Sequence, residues 1–496
     1  MNKNKNNKKL VVYNIFYILL IIITAIIFST AICLKNYFSS TTMEQLLYNT
    51  INMHATVNMV FMDQFIAKII LVAAIFSASI LLPIIVQNFI RIDLSFKIKN
   101  KEIRIFPINL KKYSLSLCIA SIVIITLQLK IPTYIYHQAF SSKLYEKHYV
   151  PYTKENVVFP EKKRNLIMIF VESLENSGFS IENGGIQNIS YIPNLEQLAL
   201  QNINFSNTNE LGGFKIAKGT NWTVAGLVAQ TSGIPINIQT TNKENKFLTG
   251  VTSIGDILEE NGYKNYITMG SNSSFGDRDK YFKEHGNYTI YDYDYAKETG
   301  YIPANYYKWW GFEDQKLYAF AREKLTTIAK NKEPFNFTML TADTHFFDGF
   351  VSNNCPSKFD SHYANSYYCT DMMLYNFIEW IKRQDFYENT TIVITGDHLT
   401  MRDDFYKAPR NYDRTAFNLF INSQVKPINT KNREFTSMDI YPTTLASLGI
   451  QIRGNRLGLG TNLFSNQKTI AEEIGFKKLN QELQKRSNYY TKNIIK

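Results

Sequence analysis

Asp397 and His398 close the run Thr391-Ile392-Val393-Ile394-Thr395-Gly396. Five consecutive β-branched residues before a glycine read as a buried strand. An acid and an imidazole then stand at its carboxyl end, the edge where open α/β sheets place ligands and chemistry. Carboxylate oxygen and imidazole nitrogen together suit a divalent cation such as Zn2+ or Mn2+. A single Asp-His at a strand end is equally compatible with a structural role. A second expected strand, Asn165–Val171, runs into Glu172-Ser173-Leu174-Glu175. In a parallel sheet both ends open on one edge, so Glu172, Asp397 and His398 can converge on one cation although far apart in the chain.

Three protein ligands leave a coordination position open for a nucleophile or substrate. The expected nucleophile is Thr220, in Lys218-Gly219-Thr220-Asn221-Trp222-Thr223-Val224-Ala225-Gly226. Gly219 permits a tight turn, and Val224–Ala229 looks like the opening of a helix. A metal-coordinated hydroxyl there would have a lowered pKa and would lie beside backbone N–H groups able to hold phosphate. The same position also reads as an N-cap.

The elements around these residues alternate. Helices are expected at Pro193–Gln201, Ile254–Asn261, Gln315–Lys330, Tyr368–Gln384 and Ser437–Leu448. Further strands are expected at Tyr263–Met269, Phe337–Leu340 and Ala416–Ile421. Alternation of this kind predicts an α/β/α domain with a mostly parallel sheet over residues 161–465. A linker is expected over 131–160, and a basic tail with one helix at Thr469–Arg486 over 466–496.

The 496 residues exceed one ordinary domain. Residues 1–130 read as a membrane segment with three apolar spans near 10–34, 65–89 and 113–129, each long enough for a bilayer core of about 30 Å. The first follows Lys3, Lys5, Lys8 and Lys9, and its apolar core is too long for a cleaved signal peptide. The loop after the second span carries Arg91, Lys97, Lys99, Lys101, Arg104, Lys111 and Lys112 against Asp93 and Glu102. The loop before that span carries almost no positive charge. By the positive-inside rule the amino terminus and the basic loop are cytoplasmic, and three spans place everything after about residue 130 on the outer side. One span fewer would reverse that, so the third carries the topology. Thr42–Phe61 has a loose apolar spacing that fits either an interfacial helix or a plain connection.

The net charge of +12 is not arranged as a basic stripe with base-reading motifs, so no nucleic acid partner is expected. Cys33 and Cys118 lie in the apolar segments. Cys355 and Cys369 are close in the remainder, and a disulfide between them would require an oxidising compartment.

The constellation resembles the alkaline-phosphatase/sulfatase superfamily, and more closely the membrane-anchored phosphoglycerol transferases that decorate periplasmic glucans. Lipoteichoic acid synthases and phosphoethanolamine transferases are broader relatives. The resemblance rests on Asn165–Glu175, Gly219–Gly226 with Gly233-Ile234-Pro235, Thr341-Ala342-Asp343-Thr344-His345, and Cys369-Thr370-Asp371. It continues through Asp385–His398, Ser437–Pro442 and Arg456–Gly460. It implies that Glu172, Asp397 and His398 are metal ligands and that Thr220 is the nucleophile and also touches the metal. It implies that His345 contacts the phosphoryl group or the departing and entering oxygens, that Arg278 contacts substrate, and that Asn221 and Trp222 line the pocket. The implied cofactor is one Mn2+ or Zn2+, with Mg2+ as a third choice. The implied donor is phosphatidylglycerol or phosphatidylethanolamine, the acceptor a glycan, and the location a bacterial inner membrane with the catalytic domain in the periplasm. The implied reaction is two in-line displacements through a phosphothreonine, with a phosphodiesterase as the hydrolytic variant. Ordinary sulfatases carry a Cys-x-Pro-x-Arg nucleophile motif, which Cys355-Pro356-Ser357-Lys358 does not match, so sulfate-ester hydrolysis is not expected.

Overall fold

The computed structural model describes residues 2–37, 59–87, 90, 94–98, 101–106, 109–237, 240–402 and 404–496. Contacts divide the described residues into two units, the first ending at Ile135 and the second running from Tyr136 to Lys496. Most of the Thr42–Phe61 stretch lies outside the described residues.

The first unit holds three long helices: α1 (Asn2–Tyr37), α2 (Met59–Val86) and α3 (Leu110–Gln128). Val12–Cys33, Phe65–Val86 and Leu110–Gln128 within them are long and apolar enough to cross a membrane. The third begins earlier than expected, because Asn109 caps it by accepting from the Lys112 N–H at 3.1 Å and draws two lysines into the helix. α1 packs against both α2 and α3, with Phe28 and Phe76 stacked at 4.7 Å and the Gln128 amide donating to the Ala31 carbonyl at 2.6 Å. Large apolar side chains such as Ile15, Ile70 and Ile119 are left exposed, as bilayer-facing helices require. The basic loop carries a hairpin of β1 (Leu94–Ile98) and β2 (Lys101–Phe106).

The second unit is built on a six-stranded sheet. Its strands are β3 (Asn165–Val171), β4 (Lys264–Met269), β5 (Thr289–Tyr291), β6 (Phe335–Leu340), β7 (Thr390–Gly396) and β8 (Asn418–Ile421). Their order is β5-β4-β6-β3-β7-β8, with every pairing parallel except β7 to β8. β3 is the middle of a parallel stack and is buried on both faces, which is why it is apolar at nearly every position. Its side chains alternate between two cores: Leu166, Met168 and Phe170 enter one, Ile167, Ile169 and Val171 the other. The first core is completed by α5 (Thr223–Ser232), α6 (Ile254–Glu260) and α9 (Ser437–Ser447). The second is completed by α4 (Pro193–Gln201), α7 (Asp314–Ala329) and α8 (His362–Lys382). This is the expected α/β/α sandwich.

The domain extends on both sides of 161–465. Leu144, Tyr145 and Val157 from the expected linker are in the first core, and Val157–Val158 pairs with Gln451–Ile452. Leu479, Tyr490, Ile494 and Ile495 from the expected tail are buried in it too. The single tail helix is two, Ile470–Ile474 and Phe476–Gln484, broken at Gly475 with φ of 83°.

α5 lies against the end of β7. A Cβ built on Gly226 would sit 2.2 Å from the Asp397 carbonyl oxygen, so glycine is what lets helix and strand end approach. Gly226→Ala gains about 1 kcal/mol of helix propensity, but forcing an atom into a packed site costs about 1–3 kcal/mol. The clash is with backbone rather than a flexible side chain, so the second term wins. We expect a lower melting temperature for Gly226→Ala; one equal to or above that of the parent would contradict this packing.

Candidate active site and metal centre

Val171 and Gly396 are partners in the parallel pairing of β3 and β7, so the residues that follow emerge side by side. Glu172, Asp397 and His398 each offer one ligand atom, all within 4.8 Å of one another and all buried. Asp397 Oδ1 accepts the Ser173 and His398 backbone N–H groups, both at 2.8 Å. Its Oδ2 is buried with no hydrogen-bond partner among the described residues. His398 Nδ1–H donates to the Leu399 carbonyl at 2.7 Å, which fixes the tautomer. Nε2 is left facing Asp397 Oδ2 at 3.3 Å and Glu172 Oε1 at 3.5 Å. Glu172 is tied to the end of β6, since its N–H donates to Thr341 Oγ1 at 3.1 Å and the Thr344 hydroxyl donates to its carbonyl. Ser173 adopts φ of 55°, an uncommon conformation for a non-glycine residue, directly after the first ligand.

Burial, and next the Glu172 carboxylate, push the Asp397 carboxyl up to about 7. Burial alone would lower His398, but the Asp397 and Glu172 carboxylates outweigh it and hold its pKa above the ordinary value. Two buried carboxylates, an orphaned oxygen and an imidazole lone pair aimed between them fit a divalent cation, with oxygen-rich ligation open to Mn2+ as well as Zn2+.

The expected nucleophile, Thr220, has its hydroxyl engaged in a backbone turn. The Thr220 hydroxyl is buried and donates to the Ala217 carbonyl at 2.9 Å, closing the turn that Gly219 opens with φ of 79°. Two hydroxyls lie at the ligands: that of Ser173 donates to Glu172 Oε1 at 2.7 Å, and that of Thr223, on a separate helix, is 3.3 Å from Glu172 Oε2 and 3.4 Å from His398 Nε2. Thr223 is the first residue of α5, where the backbone N–H groups have no intrahelical partner. The spacing Thr223…Gly226 held the signal. Residues three apart share a helix face, and the glycine that must touch the strand end marks the face on which Thr223 lies.

The other expected residues divide. Arg278 is buried near the cluster, and its pKa is lowered to about 10 by burial against the opposing pull of Glu172, Asp292, Asp279 and Asp397. One guanidinium nitrogen donates to Ser271 Oγ at 3.2 Å and the Asn272 carbonyl at 2.6 Å. Its Nε is buried without a hydrogen-bond partner among the described residues. Gly276 lies against Val224, which brings the Arg278 loop to the start of α5. His345 Nδ1–H donates to the Phe346 carbonyl at 2.6 Å. Burial, with smaller contributions from His398 and Arg278, pushes its pKa down to about 4, so it is a neutral base near pH 7. Asp314 holds the preceding segment by accepting the Ala342 and Asp343 N–H groups at 2.9 Å each. Trp222, expected to line the pocket, is the N-cap residue of α5 and belongs to the first core. Asn221 is half-buried in the turn before it. Cys355 and Cys369 form a disulfide, Cα–Cα 5.4 Å.

The Asp397 proton makes metal removal pH-dependent. The folded metal-free protein holds a proton up to about pH 7 that the unfolded chain releases near 3.8. The folded state therefore binds more protons across that window, and its stability falls as pH rises through it. We expect chelator-treated protein to melt at a lower temperature at pH 8 than at pH 5.5. Added Mn2+ or Zn2+ should raise the melting temperature most at pH 8, because protons no longer compete. An equal or smaller metal-induced rise at pH 8 would sink this account of the site.

A family model described as Sulfatase matches residues 164–450. Phosphoglycerol transferase I of Escherichia coli O127:H6 is 31% identical over 326 residues, covering 64% of this chain and 41% of that protein. The protein of the same name from Salmonella choleraesuis is 30% identical over 328 residues, with the same coverage. The chain thus spans about two fifths of the length of these relatives. Among solved structures, the lipoteichoic acid synthase LtaP from Listeria monocytogenes aligns with a TM-score of 0.49 at 18% identity, covering 66% of this chain and 82% of that one. Lipooligosaccharide phosphoethanolamine transferase A from Neisseria meningitidis aligns at 0.48 and 13% identity, covering 88% and 84%. The matched family segment takes in Glu172, Thr223, Asp397 and His398 and more than half of the sequence, and the chain belongs to the sulfatase family.

Proposed function

We propose that the protein is a metal-dependent transferase that moves a phosphoglycerol group from phosphatidylglycerol to a sugar hydroxyl of an extracytoplasmic glycan, through a phosphothreonine on Thr223. The observation that carries this is the Thr223 hydroxyl, at a helix N-terminus and within 3.4 Å of both Glu172 and His398. The relatives named phosphoglycerol transferase I support the choice of group. The absence of a Cys-x-Pro-x-Arg motif supports phosphoester over sulfate-ester chemistry. The disulfide and the basic cytoplasmic-side loop support an outward-facing domain.

A divalent cation bound by Glu172, Asp397 and His398 would supply neutralisation of phosphoryl oxygens and a lower pKa for a neighbouring hydroxyl. Thr223 Oγ1 attacks phosphorus, the bond to the diacylglycerol oxygen breaks, and that oxygen ends with the proton Thr223 gives up. Arg278, a buried cation at the start of α5, holds the phosphodiester charge. In the second displacement the sugar oxygen attacks and the Thr223–phosphorus bond breaks. The sugar proton passes to neutral His345 and ends on Thr223. A phosphodiester anion beside His345 raises its pKa, which lets one residue accept and return that proton.

Thr223→Ala should lower transfer of labelled phosphoglycerol by about 10^4-fold or more. Thr220→Ala should lose only a turn hydrogen bond worth about 1 kcal/mol and keep turning over. Mass spectrometry of protein quenched with phosphatidylglycerol should find the added group on the peptide containing Thr223. Turnover by Thr223→Ala, or the group on Thr220, would overturn the mechanism. Label released only as free glycerol phosphate when glycan is supplied would identify a hydrolase.

A further inference from the structure

Beside His345 is a wall of aromatic rings that the reaction as described does not use. The Trp310 ring is half-buried, with its centroid 4.5 Å from that of His345 and 5.7 Å from that of Phe275. Phe275 in turn lies under the Arg278 guanidinium at 5.5 Å. Trp310 is held at the tip of a tight turn. Lys308 and Gly311 exchange backbone hydrogen bonds of 2.8 and 3.0 Å, leaving only Trp309 and Trp310 between them. Trp309 has φ of 58°, and its indole N–H donates to the Ala342 carbonyl at 2.8 Å, three residues before His345. Gly311 packs where a Cβ would meet the Gly270 carbonyl oxygen at 2.2 Å, which fastens the turn to the end of β4. One tryptophan is thus spent as an anchor in a strained conformation while the next is left half-buried.

Resting on the function proposed above, we propose that Trp310 is the stacking platform of the acceptor subsite, with a pyranose ring lying on its face and presenting a hydroxyl to His345. The chemistry of the wall favours a sugar over an acyl chain. Neither Tyr306–Gly311 nor Thr344–Phe350 contains an aliphatic leucine, isoleucine or valine, whereas an acyl chain buries best among such side chains. A sugar offers an apolar C–H face to an aromatic ring and hydroxyls to the polar groups around it. Here the polar group placed against the Trp310 ring is His345.

The test uses the full chain in detergent with phosphatidylglycerol and a neutral glucan oligosaccharide. Trp310→Leu keeps an apolar side chain but cannot stack; Trp310→Phe can. The KM for glucan should rise about fivefold to tenfold in the leucine variant, by more than the KM for phosphatidylglycerol does, and phenylalanine should restore most of it. Leucine matching phenylalanine, or a rise confined to the lipid KM, would overturn the subsite while leaving the transferase reading intact. Glucan binding by the parent protein, measured directly and weakened by Trp310→Leu, without any transfer to it would overturn the transferase reading and leave the subsite standing. Neither binding nor transfer would overturn both.

Discussion

Two carboxylates and an imidazole are buried together at one edge of a parallel sheet, and the rest of the catalytic unit is arranged around the cost of that. Burial first, and then repulsion by the nearby Glu172 carboxylate, raises the Asp397 pKa. Each of the three groups is restrained from moving away. Asp397 is held through Oδ1 by two backbone N–H groups, Glu172 through its backbone by Thr341 and Thr344, and His398 by its own Nδ1–H. Asp397 Oδ2, without a hydrogen-bond partner among the described residues, and His398 Nε2, facing it at 3.3 Å beside the Thr223 hydroxyl, are what a cation needs. The restraints keep the ligands poised for positive charge instead of letting them relax toward solvent.

Close backbone approach turns that pocket into a place for chemistry. β3 and β7 are neighbours, so the ligands emerge in register. Gly396 permits contact with the Leu174 carbonyl, and Gly226 permits α5 to meet Asp397. A side chain at either position would separate elements that must touch. The consequence appears one helical turn away, at Thr223, whose position follows from the packing of Gly226 more than from any contact of its own.

Much of this was legible in the sequence, and the exceptions share a cause. Strands buried on both faces are continuous apolar runs, so β3 and β7 stood out, and the ligands follow at their ends. The short edge strand β5 did not, because its three residues sit among alternating tyrosine and aspartate. The carboxy-terminal residues looked like a solvated tail because lysine and asparagine dominate them, although Leu479, Tyr490, Ile494 and Ile495 are enough to dock them. The Gly219-Thr220 turn before an apparent helix points to Thr220, and nothing local in the sequence singles out Thr223. The deciding fact, a helix face pressed on a strand end far away in sequence, is a tertiary one.

Under the proposed mechanism the protonation state of His345 links the two displacements. A histidine already charged would compete with Arg278 for the substrate anion and could not take a proton from the acceptor. Burial keeps it neutral in the free protein, so its cationic form depends on a phosphodiester arriving beside it. Under the proposed mechanism the same anion that Thr223 attacks thereby sets the basicity of His345 for the second displacement. Water is the competing acceptor at that stage, and it needs no platform. A sugar does, which gives the half-exposed indole beside His345 a reason to be rigidly held. The choice between transfer and hydrolysis then rests on how long an acceptor ring stays beside that imidazole, since the attack on phosphorus is the same displacement for either oxygen.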